Sequence, residues 1–162
     1  MKARDVFVFD FDGVICDSAD ETGWSGWLAA RRLWPDAFTT ATPPPSYLED
    51  FRRIRIYLET GFEAVLIARG WRDGVRADEF CQNYSQTLAC LQERYEVDRP
   101  SLIEVFAATR REWIASEREK WLATHRFYSP VVKALRSFSG EWYILSTKQK
   151  EFLVELCRAG GL

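Results

Sequence analysis

The stretch that decides the fold is Val6-Phe7-Val8-Phe9-Asp10-Phe11-Asp12-Gly13-Val14-Ile15-Cys16-Asp17-Ser18. Its short apolar run, bounded by a glycine turn, predicts a fully buried β-strand. Asp10 and Asp12 follow at the carboxyl end, where open α/β sheets bind their ligands. Two carboxylates this close repel each other, so the pair predicts a compensating cation, and Mg²⁺ suits hard oxygen ligands. One carboxylate can then act as a nucleophile while the other transfers protons, which is the chemistry of an aspartyl-phosphate.

Two other interpretations of the acidic pair need comparison. Acidic residues at strand ends are commonly solvated turn residues, and the spacing alone leaves this alternative open. An EF-hand loop would use Asp10, Asp12 and Glu21 as its first, third and twelfth positions. The sequence excludes it, because Val14 and Ile15 stand where the loop needs an acid or amide and then a glycine.

The segment Phe9–Ser18 resembles the first motif of the haloacid dehalogenase-like hydrolase superfamily. It is most similar to the branch of the phosphoglycolate phosphatases and β-phosphoglucomutases, which read Phe-Asp-x-Asp-Gly-x-x-x-Asp-Ser. The resemblance implies that Asp10 attacks phosphorus, and that Asp12 protonates the leaving oxygen and later activates water. It also implies that Asp10 and Asp12 bind Mg²⁺. Dehalogenases carry a different residue in place of Asp12, so phosphate chemistry is favoured over halide chemistry.

A second stretch, Phe127–Leu135, resembles the start of the helix that precedes the second strand of this superfamily. That strand is predicted at Trp142–Leu145 and ends at Ser146 and Thr147. The family places a phosphate-binding Ser or Thr here, so the resemblance implies that Ser146, with the amides around Gly13 and Thr147, holds the phosphate. A hydroxyl between a strand end and a helix start is also an anion site on physical grounds. Alternatively, or in addition, Ser146 is the N-cap of that helix.

The region between the two motifs reads almost entirely as helix. The extended linker Thr39–Pro45 interrupts it. The apolar spacing predicts a first helix that ends at Pro35, and then helices over 51–70, 80–95 and 102–121. In the family, a helical insertion at this place is a cap that excludes water and contacts the organic part of the substrate.

These elements predict an α/β fold. The resemblance implies a Rossmannoid core formed by residues 1–16 and 126–162, and an all-helical cap over 17–125. It implies two further motifs, a lysine that neutralises the phosphate and an acidic pair that completes the Mg²⁺ site. No residues remain after Leu162 for these motifs. The expectation is therefore an incomplete core with only the first two core strands, as in a phosphatase truncated at its C-terminus.

Other side chains could replace the later motifs. Lys148 and Lys150 follow the second strand, but lysines at a helix start are usually solvated. Asp17, Asp20 and Glu21 could bind the metal, although their position places them at the entry to the cap. The expected function is that of a Mg²⁺-dependent phosphatase of small organic phosphate esters, incomplete in this chain. The alternatives are a non-catalytic remnant that binds a partner, and a sugar-phosphate mutase, which has the same first motif.

Composition limits the partners. Hydrophobic residues make up 47% and charged residues 28%, and the net charge of −2 provides no basic surface for nucleic acid or anionic membrane. Lys2 and Arg4 before an apolar run superficially resemble the start of a signal peptide, but Asp10 and Asp12 interrupt the run too early for one. No segment reaches membrane-spanning length.

The four cysteines, at positions 16, 81, 90 and 157, form no Cys-x-x-Cys pair. They predict buried free thiols in a reducing compartment, and hence a cytoplasmic protein. A small-molecule phosphate ester is the expected ligand. The chain is expected to be a monomer, or a homodimer if the open edge of the first strand pairs with a second copy.

Overall fold

The computed structural model describes residues 6–162, is 66% helical, and has a run of helices between short strands near each end. Residues 1–5, which include Lys2 and Arg4 and begin the predicted core segment, lie outside the described residues. The elements are, in order, β1 (Val6–Phe9), β2 (Cys16–Asp17), α1 (Ala19–Leu33), α2 (Pro45–Ile54), α3 (Glu63–Arg72), α4 (Ala77–Arg94), α5 (Arg99–Ala123), β3 (Arg126–Phe127), α6 (Ser129–Ser137), β4 (Glu141–Ile144) and α7 (Lys150–Gly160).

The described chain divides into two compact units. The α/β unit contains the described residues up to Ser18 together with Leu122–Leu162, and the helical unit is Ala19–Trp121. The helical unit is therefore an insertion in the sequence between the two segments of the α/β unit. The sequence placed the helical segment at 17–125, and the observed boundaries lie a few residues inside that range. Its identity as a cap domain stays a prediction.

The α/β unit contains two small sheets. β1 and β4 are parallel, with Val6 opposite Glu141 and Phe9 opposite Ile144. β2 and β3 are antiparallel. Both predicted core strands are confirmed as strands, the second one residue earlier than expected. Their parallel pairing makes the chain mixed α/β, because a parallel pair needs a long crossover, which the whole intervening sequence provides here.

The prediction that β1 is fully buried is wrong. Val6, Phe7 and Val8 are 51%, 45% and 57% exposed. A parallel strand is buried when it has neighbours on both edges and helices on both faces. Among the described residues β1 pairs only with β4, so much of its apolar surface faces solvent.

The helical unit has an aromatic core centred on Trp27, which is 1% exposed. The Trp27 ring lies 4.8 Å from that of Phe38 and 5.0 Å from that of Tyr47, measured between centroids. α1 and α3 approach closely at Gly26, where an added Cβ would lie 2.5 Å from the Cβ of Ala64. The small residues of the α1–α3 contact therefore let these two helices pack backbone to backbone.

The predicted helix over 51–70 is wrong in one respect, because the structure has two helices there. α2 ends at Ile54, a short 3₁₀ turn covers Arg55–Tyr57, and α3 begins at Glu63. Gly61 lies in the break, where the Phe106 ring comes within 2.9 Å of the place of a Cβ. The predicted first, third and fourth helices are confirmed as α1, α4 and α5, although α4 and α5 are kinked at Asn83 and Glu117.

None of the helices in the described part of the chain combines the length and the apolar character needed to cross a membrane. All four cysteines are free thiols. Cys16 is buried as expected, but Cys90 is exposed and Cys81 and Cys157 are half-buried, so the prediction that most of the thiols are buried is wrong. The apolar spacing around Cys90 did not indicate that this side of α4 faces solvent.

Candidate active site

The candidate site lies at the carboxyl ends of β1 and β4. The carboxyl ends of adjacent parallel strands meet at one edge of the sheet, which is the usual ligand position in α/β folds. Asp10 directly follows β1, and Ser146 follows β4 by one intervening residue, Leu145. The Leu145 N–H donates to the carbonyl of Phe9 at 2.9 Å, so the pairing continues to the first residue beyond β4. The register therefore brings the two predicted motifs to the same sheet edge.

A tight turn after Phe11 holds the first motif. The carbonyl of Phe11 accepts hydrogen bonds from the amides of Ile15 at 2.9 Å and Cys16 at 3.0 Å. Gly13 has a φ of +80°, which is the left-handed region that favours glycine. The Gly13 N–H donates to the Cys16 carbonyl at 2.8 Å. In this structure Gly13 thus closes the turn. Its own amide is engaged within the protein, whereas the resemblance had implied that this amide binds phosphate.

Asp10 presents an exposed carboxylate at the strand end. Its Oδ1 accepts a hydrogen bond from the Phe11 N–H at 2.6 Å. A backbone amide bound to a carboxylate is a charge-assisted hydrogen bond, which fixes the orientation of the side chain. Asp10 is therefore both oriented and accessible to a small solute, as a nucleophile needs to be.

Asp12 has a more enclosed environment, with 19% of its side chain exposed. Its Oδ1 accepts a hydrogen bond from the Ser18 hydroxyl at 2.5 Å. The same oxygen lies 3.4 Å from the Nζ of Lys148, whose side chain is only 4% exposed. The Lys148 Nζ also lies 6.0 Å from the centroid of the Phe11 ring. The site therefore contains an enclosed ammonium group that faces one of its two carboxylates.

The expectation that the lysines after β4 are solvated is wrong for Lys148 and confirmed for Lys150, which is exposed. The Lys148 N–H donates to the Ser146 Oγ at 3.1 Å. This local turn brings the lysine back toward the end of β1 before α7 begins. The sequence signal for Lys148 was its position two residues after Ser146. Its contact with Asp12 depends on the β1–β4 register, which no local sequence pattern encodes.

Ser146 and Thr147 lie beside this pair but contact neither aspartate. Ser146 is half-buried and Thr147 is exposed, and the described residues show no hydrogen bond from either one to Asp10 or Asp12. The alternative role of Ser146 as a helix N-cap is wrong, because Gln149 is the N-cap of α7. The Ser146 hydroxyl instead closes the turn before that helix. Its role in binding phosphate stays a prediction.

Residues 6–162 contain no group of three or more His, Cys, Asp or Glu side chains that could hold a metal ion. The donors at the sheet edge are the Asp10 carboxylate and, by the resemblance, the backbone carbonyl of Asp12. Mg²⁺ is usually held by one or two carboxylates together with substrate phosphate and water, and not by an all-protein cage. The donor set is therefore compatible with Mg²⁺ in the presence of a phosphate ester.

Of the three other acids that the sequence offered as metal ligands, Asp17 lies in β2, whereas Asp20 and Glu21 have structural roles in the helical unit. Asp20 forms an ion pair with Arg52 at 2.6 Å. Glu21 is fully buried, and it accepts bonds from Arg110 Nε at 2.8 Å and Nη2 at 3.0 Å. Ser25 adds a hydrogen bond at 2.7 Å. This cluster ties α5 to α1, and sequence reasoning missed it because Glu21 and Arg110 are far apart in the chain.

Cys16, next to the turn, is not a second nucleophile. Burial raises the pKa of its thiol to about 12. The thiolate is the reactive form of cysteine, so a thiol with such a pKa is unreactive at neutral pH. The thiol therefore adds no reactive nucleophile at this sheet edge.

No protein-family model, curated protein or solved structure matches the chain. The family resemblance of the two motifs therefore stays a prediction, and the geometry of the sheet edge is the basis for assigning a function.

Proposed function

We propose that this chain carries the catalytic carboxylates of a Mg²⁺-dependent phosphatase of small organic phosphate esters. The observation that carries the proposal is the parallel β1–β4 pairing, which brings Asp10 and Asp12 to the same edge as Ser146 and Lys148. Two carboxylates, a hydroxyl and an ammonium group at adjacent strand ends are suited to binding and attacking a phosphate. We further propose that the α/β unit is a partial core of the haloacid dehalogenase type, with the helical unit as its cap.

In the proposed reaction, a carboxylate oxygen of Asp10 attacks phosphorus in line with the ester oxygen. The bond between phosphorus and the ester oxygen breaks, and Asp12 gives its proton to the departing alcohol. Asp12, now ionised, then takes a proton from water, whose oxygen attacks the phosphorus of the aspartyl-phosphate. Inorganic phosphate leaves and the Asp10 carboxylate is restored.

Each carboxylate has surroundings suited to its role. Asp10 is exposed and held by one backbone amide, so a free oxygen is available for attack. Asp12 is more enclosed and is held in a fixed orientation by side chains. When bound by Asp10 and the Asp12 carbonyl, Mg²⁺ supplies positive charge that offsets the charge of the phosphate. Ser146 and the amide of Thr147 would hold phosphate oxygens.

A second candidate function is favoured by the exposed apolar face of β1. Val8 is 57% exposed, and an apolar strand with an unpaired edge is a surface on which other chains can dock. In this case the chain would act by binding and not by catalysis. A sugar-phosphate mutase remains the enzymatic alternative, since it would use Asp10 and Asp12 in the same first step.

The test is hydrolysis of p-nitrophenyl phosphate by the purified chain, with and without Mg²⁺, beside Asp10→Asn. We expect Mg²⁺-dependent phosphate release that falls by at least about a thousandfold in the variant, because loss of a nucleophile removes the covalent route. Asp36→Asn, which makes the same change at an exposed turn of the helical unit, is the matched control and should leave the rate unchanged. Equal background rates in the wild type and Asp10→Asn would overturn the proposal and favour the binding function.

A further inference from the structure

A cleft of about 450 Å³ lies between α1 and α5 in the helical unit. Its volume is within the range of about 300–1,000 Å³ that is usual for small-molecule sites. The proposed reaction does not use it. Its wall combines apolar, charged and hydrogen-bonding side chains, among them Leu28, Arg31, Pro35, Thr109, Glu112 and Trp113.

Two polar atoms of the side chains that form this wall lack a hydrogen-bond partner within the described part of the chain. They are Oγ1 of Thr109 and Nε1 of Trp113, and the two residues are only 7% and 5% exposed. A buried donor without a partner has lost its hydrogen bonds to water and gained none in return, so such atoms are rare in folded proteins. The two residues are four positions apart and therefore neighbours on one face of α5.

The cleft also contains an arginine without a counter-charge. Arg31 forms neither an ion pair nor a hydrogen bond with any described residue. The acidic side chains that line the cleft are already engaged, because Glu112 pairs with Arg32 at 2.7 Å and Glu117 pairs with Lys120. One positive charge is therefore left over.

The unsatisfied groups determine the chemistry of a ligand. A guanidinium and an indole N–H can only donate hydrogen bonds, so the ligand must supply acceptors. We propose that the cleft binds a small organic monocarboxylate with an apolar body. The carboxylate accepts hydrogen bonds from Arg31, Thr109 and Trp113, and rotation about a side-chain bond turns the two buried donors toward it. The apolar body packs against Leu28 and Pro35.

The charges favour a carboxylate over a phosphate. A single uncompensated guanidinium matches a single negative charge. A phosphate dianion would bring a second negative charge into a cleft that Glu112 and Glu117 also line, and like charges repel each other at short range. All of these residues belong to the helical unit, so the inference stands whether or not the chain is a phosphatase.

The test titrates the isotope-labelled full chain with phenylacetate and with hexanoate and follows the indole N–H signal of Trp113 by NMR. Trp113→Phe assigns this signal by removing it. We expect the signal to shift, and Arg31→Met to weaken binding at least about tenfold, because a charge-assisted hydrogen bond is lost. Arg111→Met is the matched control, since it removes an exposed arginine of α5 that does not line the cleft, and it should bind as wild type does.

Thr109→Val separates a ligand-binding role from a structural one. Valine has the shape of threonine without the hydroxyl. The variant should bind phenylacetate about fivefold to tenfold more weakly, because one hydrogen bond to the carboxylate is lost. It should also raise the midpoint of thermal unfolding of the ligand-free chain by about 2–4 °C, because an unsatisfied buried hydroxyl is removed. A hydroxyl that stabilised the fold would lower that midpoint.

Several results would overturn the proposal. One is the absence of a Trp113 shift with either carboxylate up to about 10 mM. Another is a shift that Arg31→Met and Thr109→Val both leave unchanged. Equal binding of phenylacetamide would contradict an anionic ligand, and tighter binding of phenyl phosphate would contradict a carboxylate. Arg31→Met alters an exposed side chain, so it decides the matter even if Thr109→Val fails to fold.

Discussion

The aromatic core of the helical unit and the small β1–β4 sheet of the α/β unit bury their apolar residues to very different extents. In the helical unit Trp27, Tyr47 and Phe51 are at most 1% exposed. In the α/β unit Val8 and Leu145 are 57% and 73% exposed. The hydrophobic effect stabilises each unit in proportion to the apolar area that it removes from water. The helical unit therefore completes its own core, whereas the unit that carries the candidate site leaves its small sheet partly uncovered.

The carboxylates of the two units also differ, both in how far they are buried and in how many of their oxygens accept a hydrogen bond. Glu21 in the helical unit is fully buried, and the donors around it engage both of its oxygens. Asp10 in the α/β unit is exposed, and Asp12 keeps one oxygen without a partner among the described residues. A fully satisfied buried carboxylate stabilises a fold, while a fixed carboxylate with an open oxygen is available for chemistry. This contrast separates the structural acids from the candidate catalytic ones.

The largest effect on stability is expected from Glu21→Ala. This change leaves the Arg110 guanidinium, whose side chain is 11% exposed, enclosed without its partner. Breaking a buried ion pair on one side costs about 3–5 kcal/mol. Urea unfolding monitored by tryptophan fluorescence should show this decrease in the free energy of unfolding.

Glu112→Ala is the matched control for that prediction. Glu112 pairs with Arg32 at 2.7 Å, but its side chain is 65% exposed. Exposed ion pairs contribute about 0–1 kcal/mol, so this variant should unfold close to wild type. Equal effects from the two glutamates would show that the Glu21 cluster does not hold α1 and α5 together.

A smaller loss is expected from Gly26→Ala, which tests the close contact between α1 and α3. The new Cβ would lie 2.5 Å from the Cβ of Ala64 and 2.6 Å from its carbonyl oxygen. Overpacking of this kind costs about 1–3 kcal/mol. The double variant with Ala64→Gly removes the nearest atom and should recover part of the stability in a double-mutant cycle. No loss in the single variant would mean that the two helices are farther apart than the structure shows.

Local patterns predicted most elements of the fold. The strand Val6–Phe9, the end of α1 before Pro35, and the helices α4 and α5 follow from apolar spacing and from proline positions. The break at Gly61 was not predicted, because the apolar spacing continues through it. The open edge of β1 was expected, but its full burial was predicted wrongly, because an apolar run shows that a strand can be buried but not how many neighbours it has.

The candidate site was predictable only in part. Asp10, Asp12 and Ser146 were identified from their positions after apolar strands, and the structure places all three at one sheet edge. The ion pair between Lys148 and Asp12 was missed, because its partners are far apart in the chain and meet only through the register of a parallel pair. Contacts of this kind depend on tertiary structure, for which the sequence offers no local signal.

The smallest effect is expected from Val8→Thr. Val8 is 57% exposed, so a hydroxyl at this position stays solvated and should change stability by less than about 0.5 kcal/mol. Val65→Thr makes the same change at a fully buried position of the helical unit and should cost about 1–3 kcal/mol. A comparable loss from Val8→Thr would show that β1 is covered in solution. Size-exclusion chromatography would then reveal whether a second copy covers it.

The most direct test of the central claim is to trap the covalent intermediate. The chain is mixed with Mg²⁺ and p-nitrophenyl phosphate, quenched with acid within the first turnovers, digested and analysed by mass spectrometry. The account predicts one added phosphoryl group on the peptide that contains Asp10, and none in Asp10→Asn. Substrate turnover without this adduct, or with an adduct that persists in Asp10→Asn, would contradict the assignment of Asp10 as the nucleophile.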